Sequence, residues 1–199
     1  MDKKSFRASC LNKLKKNRPS RYYASDKKIN KSIYMEIIER KVSVVMLYIP
    51  LKIEINISNL IKKLRKENVT VLVPFMVGKS FRLVKYRLPL KIKNFSVKEP
   101  NISTIIYKKI DLAIVPVIGI DKTFRRVGFG KGFYDRFFDN NSTHIEKIIF
   151  IGRETCISDK NITDDHDVEG DKYITSSNIF IKDSSKNNIK KNQGVNSLN

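Results

Sequence analysis

Cysteine, histidine and acid are all scarce in this chain of 199 residues, which has two cysteines, two histidines and 20 Asp+Glu against 40 Lys+Arg. Cys10 and Cys156 form a single distant pair, which excludes a disulfide framework. Both are read as reduced thiols, which suits the cytoplasm. His166 has no second His or Cys at ligand spacing, so it reads as structural or exposed and not as a zinc ligand. No Ser-His-Asp or Cys-His arrangement stands out, and no covalent enzyme nucleophile is expected. Long apolar runs are lacking too. Those at 42–51 and 112–120 are about ten residues long, far short of the roughly 18 that a bilayer span needs. The opening MDKKSFRASC has no apolar signal-peptide stretch. A soluble, unexported protein with no membrane partner is expected.

The basic excess gives a formal charge of +20, which favours polyanions such as nucleotides, nucleic acid, acidic lipid or a polyglutamylated substrate. It is spread through the chain and densest in residues 1–41, so a compositional bias with no specific polyanion partner explains it equally well. A hydrophobic fraction of 41% is near globular expectation. Residues 1–182 are read as one domain, expected to be a monomer. Residues 183–199, DSSKNNIKKNQGVNSLN, are too polar to offset the entropy of ordering and read as a frayed tail.

Helical and strand signals alternate. Phe6, Cys10, Leu11 and Leu14 fall on one face of a short basic helix. Ser25-Asp26 reads as the cap of a second helix running towards Glu39, with Ile29, Ile33, Ile37 and Ile38 along it. KVSVVMLYIP is a β-branched run ended by proline, the pattern of a strand buried on both faces. Ser58 then caps a helix through Lys66, and VTVLVP is the next buried strand. Residues 75–109 are less regular, with a strand expected at 81–86. DLAIVPVIGI is a third buried strand, a helix is expected over about residues 132–138, and KIIFIG is a fourth strand. The pattern predicts an α/β protein, a three-layer α/β/α single domain with a largely parallel central sheet.

Between the third strand and its helix lies RRVGFGKGFYDR, residues 125–136, with Gly128, Gly130 and Gly132 at alternate positions. G-x-G-x-G is neither the G-x-x-x-x-G-K-[ST] phosphate loop nor the G-x-G-x-x-G dinucleotide turn. Such a run lets backbone N–H groups turn inward as an anion nest, and a following helix adds its positive end. Arg126 and Lys131 supply full charges, so a polyphosphate is expected there, against the plainer reading of a flexible turn. Asp135 would repel that polyphosphate unless Mg2+ lay between them, which makes it a candidate metal ligand. Asp159, Asp164, Asp165, Asp167, Glu169 and Asp171 form a second acidic cluster, which is either a solvated loop or the source of a further carboxylate for that metal. Phe129 and Phe133 are read as ligand contacts, and Tyr48 as core.

DLAIVPVIGIDKTFRRVGFGKGFYDRFF resembles the signature of the 5-formyltetrahydrofolate cyclo-ligase family, in which a strand ending in Pro leads through an Asp to R-x-G-x-G-x-G-[FY]-Y-D. The likeness extends to YIPLKIEINISNLI, VLVP, FSVKEP, and HDV followed by YIT, and covers roughly residues 3–182. It implies that Lys3, Lys4 and Arg7 contact ATP, with Arg7 also reaching the substrate. Glu54 and Ile49 match the pterin pocket. Arg126, Val127, Gly128, Phe129, Gly130, Lys131, Gly132, Phe133 and Tyr134 match the ATP loop. Of these, Phe129, Gly130, Lys131 and Phe133 also border the folate, and Arg126 and Lys131 carry the catalytic charge. Asp135 and Asp167 match the magnesium-associated carboxylates, although HDV is a short motif with Asp165 two residues away.

The implied reaction is ATP-dependent cyclisation of 5-formyltetrahydrofolate, with or without a polyglutamate tail, to 5,10-methenyltetrahydrofolate, releasing ADP and phosphate. Ile57, Ser96 and Phe124 stand where the family usually has Thr, Gly and Gly. Ser58 is expected to replace the cap lost at Ile57. Two other readings stay open on the residues alone: the same fold and ATP site with another small substrate, or a basic nucleic-acid-binding protein. The second lacks any helix-turn-helix, RNA-recognition or zinc-finger pattern, so no specific nucleic acid is expected.

Overall fold

The computed structural model describes residues 1–199 except 17–18, 93–97, 101–104, 141–142, 184–187 and 193–199. Two helices open the chain, α1 (Lys3–Lys16) and α2 (Pro19–Glu39), followed by strand β1 (Val44–Met46), helix α3 (Ser58–Lys66) and a hairpin of β2 (Thr70–Val77) and β3 (Ser80–Lys85). Short strands β4 (Lys91–Ile92), β5 (Lys98–Glu99) and β6 (Lys109–Ile110) precede the central strand β7 (Leu112–Pro116). A small hairpin of β8 (Gly119–Ile120) and β9 (Arg126–Val127) leads to helix α4 (Phe133–Asn140). Strands β10 (His144–Ile145), β11 (Ile148–Ile151), β12 (Lys172–Ile174), β13 (Ile179–Asp183) and β14 (Asn188–Asn192) complete the described chain.

Eight of these strands form one sheet in the order β14-β13-β12-β11-β7-β1-β2-β3. The five central strands, β12 to β2, are mutually parallel, and both edges are antiparallel. Side chains alternate across the pleat, so each central strand feeds two cores. Val45, Val71, Ile114 and Ile149 join one core with Ile29, Ile33 and Ile37 of α2 and Leu60, Ile61 and Leu64 of α3. Their neighbours Met46, Leu72, Val115 and Phe150 join the other with Phe137 of α4. Helices therefore cover both faces, which is the three-layer arrangement expected. At β7, all five residues are buried, as a strand covered on both sides requires.

Three local expectations change. Asp26 caps nothing: α2 starts at Pro19, and Asp26 lies inside it, buried, with a guanidinium on its carboxylate. Pro19 suits a first helical turn because that turn's N–H groups have no partner within the helix. β1 is also shorter than its apolar run. After Leu47 N–H reaches Leu72 O (2.8 Å), the chain leaves the sheet to wall a cavity. In the polar segment 183–199, Asn188–Asn192 forms β14 on β13, with Ile189 packed against the second core, while 184–187 and 193–199 lie outside the described residues.

α1 sits apart from the sheet faces. Phe6 and Cys10 make a third small cluster with Ile118, Val127 and Cys156, which fixes the helix against the β8–β9 hairpin. Both cysteines are free and buried.

Candidate active site

Two cavities meet at the glycine loop. The first, about 300 Å³, is polar: its lining includes Lys3 and Arg7 from α1, Gly130 from the loop, Asp135 from the first turn of α4, and His166 and Asp167 from the loop before β12. Lys3 and Arg7 lie four residues apart, so one helix face brings both to it. Arg7 Nε donates to Gly128 O (2.8 Å), and Lys3 Nζ donates to the Asp167 carboxylate and to Asp164 Oδ2 (3.4 Å). Asp167 is buried and also accepts the Asp164 N–H at 2.7 Å. Arg126 Nη1 donates to both oxygens of Asp135, at 2.9 and 3.0 Å. Asp135 and Asp167 are thus each paired with a cation, Arg126 and Lys3 respectively.

Gly128 proves to serve one of the chain's own arginines. A Cβ on Gly128 would stand 2.2 Å from Nη2 of Arg126, so only glycine lets that guanidinium lie over the backbone. Gly130 and Gly132 have φ of +91° and +63°, a left-handed backbone that side chains resist. The close approach expected of a polyphosphate is made at Gly128 by Arg126, which the loop holds in place.

The second cavity, about 310 Å³, is mainly apolar, with Ile49, Met76, Phe81, Phe129 and Phe133 among its walls. Tyr48 lines it as well while being buried in the core, its hydroxyl donating to Ile55 O (2.7 Å). Glu54 is the acid of this cavity. Burial pushes its carboxyl up from an ordinary 4.5 to about 7, although the Leu51 N–H, Arg126 and Arg153 all pull the other way. Arg126 reaches this cavity too, and its guanidinium lies 4.8 Å from the Tyr134 ring centre. Its buried Nε has no acceptor among the described residues. Gly132 lines both cavities. Arg126 therefore stands in the wall between them, with Asp135 on one side and Glu54 within electrostatic reach on the other.

The segment carrying Glu54 is held from behind by a pair that sequence reading missed. Arg153 donates through Nε and Nη2 to the two oxygens of Asp26, each at 2.9 Å, and through Nη1 to Ile53 O (2.9 Å). Asp26 Oδ2 also accepts the Asn56 N–H (2.9 Å), and Glu54 Oε2 accepts the Leu51 N–H (2.9 Å). The partners Asp26 and Arg153 are 127 residues apart, and no local pattern announces them.

Most expected site residues converge. Lys131, Phe129, Phe133, Tyr134, Ile49 and Glu54 line the apolar cavity, and Lys3, Arg7, Gly128, Gly130, Asp135 and Asp167 line the polar one. Two stand aside: Lys4 is exposed and lines neither, and the Val127 side chain is buried in the third cluster. Asp167 faces the cavity, whereas Asp165 is exposed beside Arg125 (3.6 Å). His166 is exposed, and its ligand atom lies within 4.8 Å of those of Asp164 and Asp167. Of the departures from the family pattern, Ile57 is fully buried in the first core. The cap expected from Ser58 is absent: helix α3 has no side-chain cap on its own N-cap residue, and the Ser58 N–H goes to Asn56 Oδ1 (3.0 Å). Phe124 adopts φ +62°, a conformation glycine takes without strain. Ser96 lies outside the described residues.

Comparison with known proteins places the chain in a family. A family model described as the 5-formyltetrahydrofolate cyclo-ligase family matches residues 1–176. The 5-formyltetrahydrofolate cyclo-ligase of Mycoplasma genitalium is 29% identical over 125 residues, covering 62% of this chain and 68% of the relative. That of Haemophilus influenzae is 30% identical over 110 residues, covering 51% and 59%. Among solved structures, the 5,10-methenyltetrahydrofolate synthetase of Aquifex aeolicus aligns with a TM-score of 0.75 at 22% identity, over 100% of this chain and 97% of the other. That of Mycoplasma pneumoniae aligns with a TM-score of 0.67 at 22% identity, over 87% and 98%. These two share the fold. With the family match spanning nearly the whole chain, the protein belongs to the 5-formyltetrahydrofolate cyclo-ligase family.

Proposed function

We propose that this chain converts 5-formyltetrahydrofolate to 5,10-methenyltetrahydrofolate at the expense of ATP, with the nucleotide phosphates in the polar cavity and the folate in the apolar one. The observation that carries this reading is the shared wall: Gly132 borders both cavities, and Arg126 of the apolar cavity is bonded to Asp135 of the polar one. Two bound molecules would meet there.

Phosphoryl transfer asks the protein for positioning and charge neutralisation. Lys3 and Arg7 fix the phosphates from α1, and Lys131 and Arg126 approach from the folate side. The formyl oxygen attacks the γ-phosphate and ADP leaves, giving a phosphorylated imidate-like intermediate. The second folate nitrogen then attacks the same carbon, the carbon–oxygen bond to phosphate breaks, and the nitrogen's proton leaves to the departing phosphate or to solvent. Lys131 and Arg126 offset the charge that spreads over the transferred group in both steps. Phe129 and Phe133 offer flat faces to the pterin, and Glu54 a polar partner in otherwise apolar walls.

Carboxylates on a phosphate cavity suit Mg2+, a hard cation that takes oxygen ligands. Asp135 and Asp167 both line that cavity, and they are the residues we assign to hold it. Bound there, Mg2+ supplies charge neutralisation for the phosphates. Their present partners, Arg126 and Lys3, are then available to the nucleotide. We further read the protein as a cytoplasmic monomer; free, buried cysteines agree with a reducing compartment. No described helix is long and apolar enough to cross a membrane.

Separate binding measurements test the division of the cavities. Glu54→Ala should weaken folate binding much more than ATP binding, and Lys3→Ala should do the reverse. Equal losses of both ligands in both variants would refute the assignment.

A further inference from the structure

We infer that Asp121 is a positioning residue for the nucleotide cavity, setting the distance between the glycine loop and the loop that carries Asp167. Asp121 is 0% exposed and lines neither cavity. None of the described lysines or arginines forms an ion pair with it. Instead its two oxygens divide between two segments. Oδ1 accepts from Thr123 N (3.0 Å), Thr123 Oγ1 (2.6 Å) and Arg125 N (3.4 Å), on the segment that enters the glycine loop. Oδ2 accepts from Ile162 N (3.1 Å), Thr163 N (3.1 Å) and Thr163 Oγ1 (2.5 Å), on the segment that leads to Asp167. Burial pushes this carboxyl up, but hydrogen bonds from Thr123, Thr163 and the Ile162 and Thr123 N–H groups outweigh it and hold the acid below its ordinary value.

Neither segment is a strand of the main sheet at this point, and a backbone bridge joins them just before Asp121, with Ile120 N–H on Cys156 O (3.0 Å) and Ser158 N–H on Ile120 O (2.9 Å). Arg126 N–H to Val168 O (2.8 Å) and Gly170 N–H to Phe124 O (3.0 Å) add backbone links further along. Asp121 sits upstream of both cavity-forming stretches, five residues before Arg126, and touches the second stretch four residues before Asp167. The site depends on that spacing. Arg126 holds Asp135 on one side of the polar cavity and Lys3 holds Asp167 on the other. The far wall of the apolar cavity, Tyr48 to Glu54 with Pro74 and Met76, comes from the segment after β1 and from β2 and does not touch Asp121.

A carboxylate is needed because all six groups are donors. An amide in its place keeps one acceptor oxygen and turns an NH2 towards one of the two segments, where the threonine hydroxyl can turn to accept but the two N–H groups are left without an acceptor. This inference rests on the polar cavity being the ATP site, and the test separates the two. Dissociation constants for ATP and for 5-formyltetrahydrofolate are measured on the wild type, Lys3→Ala, Asp121→Asn and Thr163→Val, with circular dichroism as the check on folding. Asp121→Asn is expected to weaken ATP binding by about tenfold or more, the factor that one or two lost buried hydrogen bonds represent. Folate binding should change by less than about threefold, because its far wall is untouched. Thr163→Val, which removes one hydroxyl and keeps the shape, should shift ATP alone by a few-fold. If Asp121→Asn fails to fold, Thr163→Val decides. ATP affinity lost with Lys3→Ala but retained in both Asp121→Asn and Thr163→Val, or ATP and folate weakened equally, would overturn the inference. A wild type that binds folate but no ATP would overturn the nucleotide reading itself, and the inference with it.

Discussion

Glu54 titrates in a place where burial governs it, and replacing it with glutamine isolates that effect. Its folded-state pKa of about 7 against an ordinary 4.5 means that the folded protein holds a proton the unfolded chain has already released. The associated stability is fully present below pH 4.5 and is lost as pH rises through 7, because ionising the buried acid costs more than ionising it in water. The rise corresponds to roughly 3 kcal/mol at full ionisation, of which about 2.5 kcal/mol develops between pH 5 and 8. Glu54→Gln preserves shape and an acceptor oxygen for the Leu51 N–H while removing the titration. Urea unfolding of both proteins from pH 5 to 8.5 is the assay. Glutamine should gain on the wild type steadily as pH rises, by roughly 2 kcal/mol or more in total, and the gain should level off above pH 8. A stability difference independent of pH would refute the burial argument.

Breaking the Asp26–Arg153 pair by Arg153→Met leaves a buried carboxylate uncompensated and should cost about 3–5 kcal/mol in chemical denaturation. Adding Asp26→Leu should recover much of that loss, and two strictly additive losses would count against the pairing. Phe124→Gly relieves a left-handed backbone costing about 1–2 kcal/mol but deletes a ring that is 1% exposed, worth about 3–5 kcal/mol. Burial wins, so the variant should be less stable by about 2 kcal/mol; a gain in stability would show that strain dominates.

The layered fold was legible because β7 and its neighbours are runs of apolar residues that only a doubly covered strand can bury, and because the inward faces of α2 and α3 recur at helical spacing. Where such runs stop was not. The residues 47–51 stay apolar after leaving the sheet because they wall a cavity, and apolar periodicity cannot separate a strand's end from a pocket's wall. Asp26 looked like a cap because its true partner, Arg153, is 127 residues away. The glycine loop was recognisable as a site from its spacing, but not that Gly128 is needed by the side chain of Arg126 two residues before it. Asp121 was legible only as the Asp of the family signature and not in its role, because its six donors are backbone N–H groups and threonine hydroxyls, which carry no sequence signal of a site.

In the proposed reaction, ATP and 5-formyltetrahydrofolate meet across the wall between the two cavities. Purified protein mixed with 5-formyltetrahydrofolate, Mg2+ and ATP should show the near-ultraviolet absorbance of the methenyl product rising, with no rise when ATP is omitted and almost none in Lys131→Ala. Folded wild-type protein that forms no product, or forms it equally well without ATP, would contradict the account.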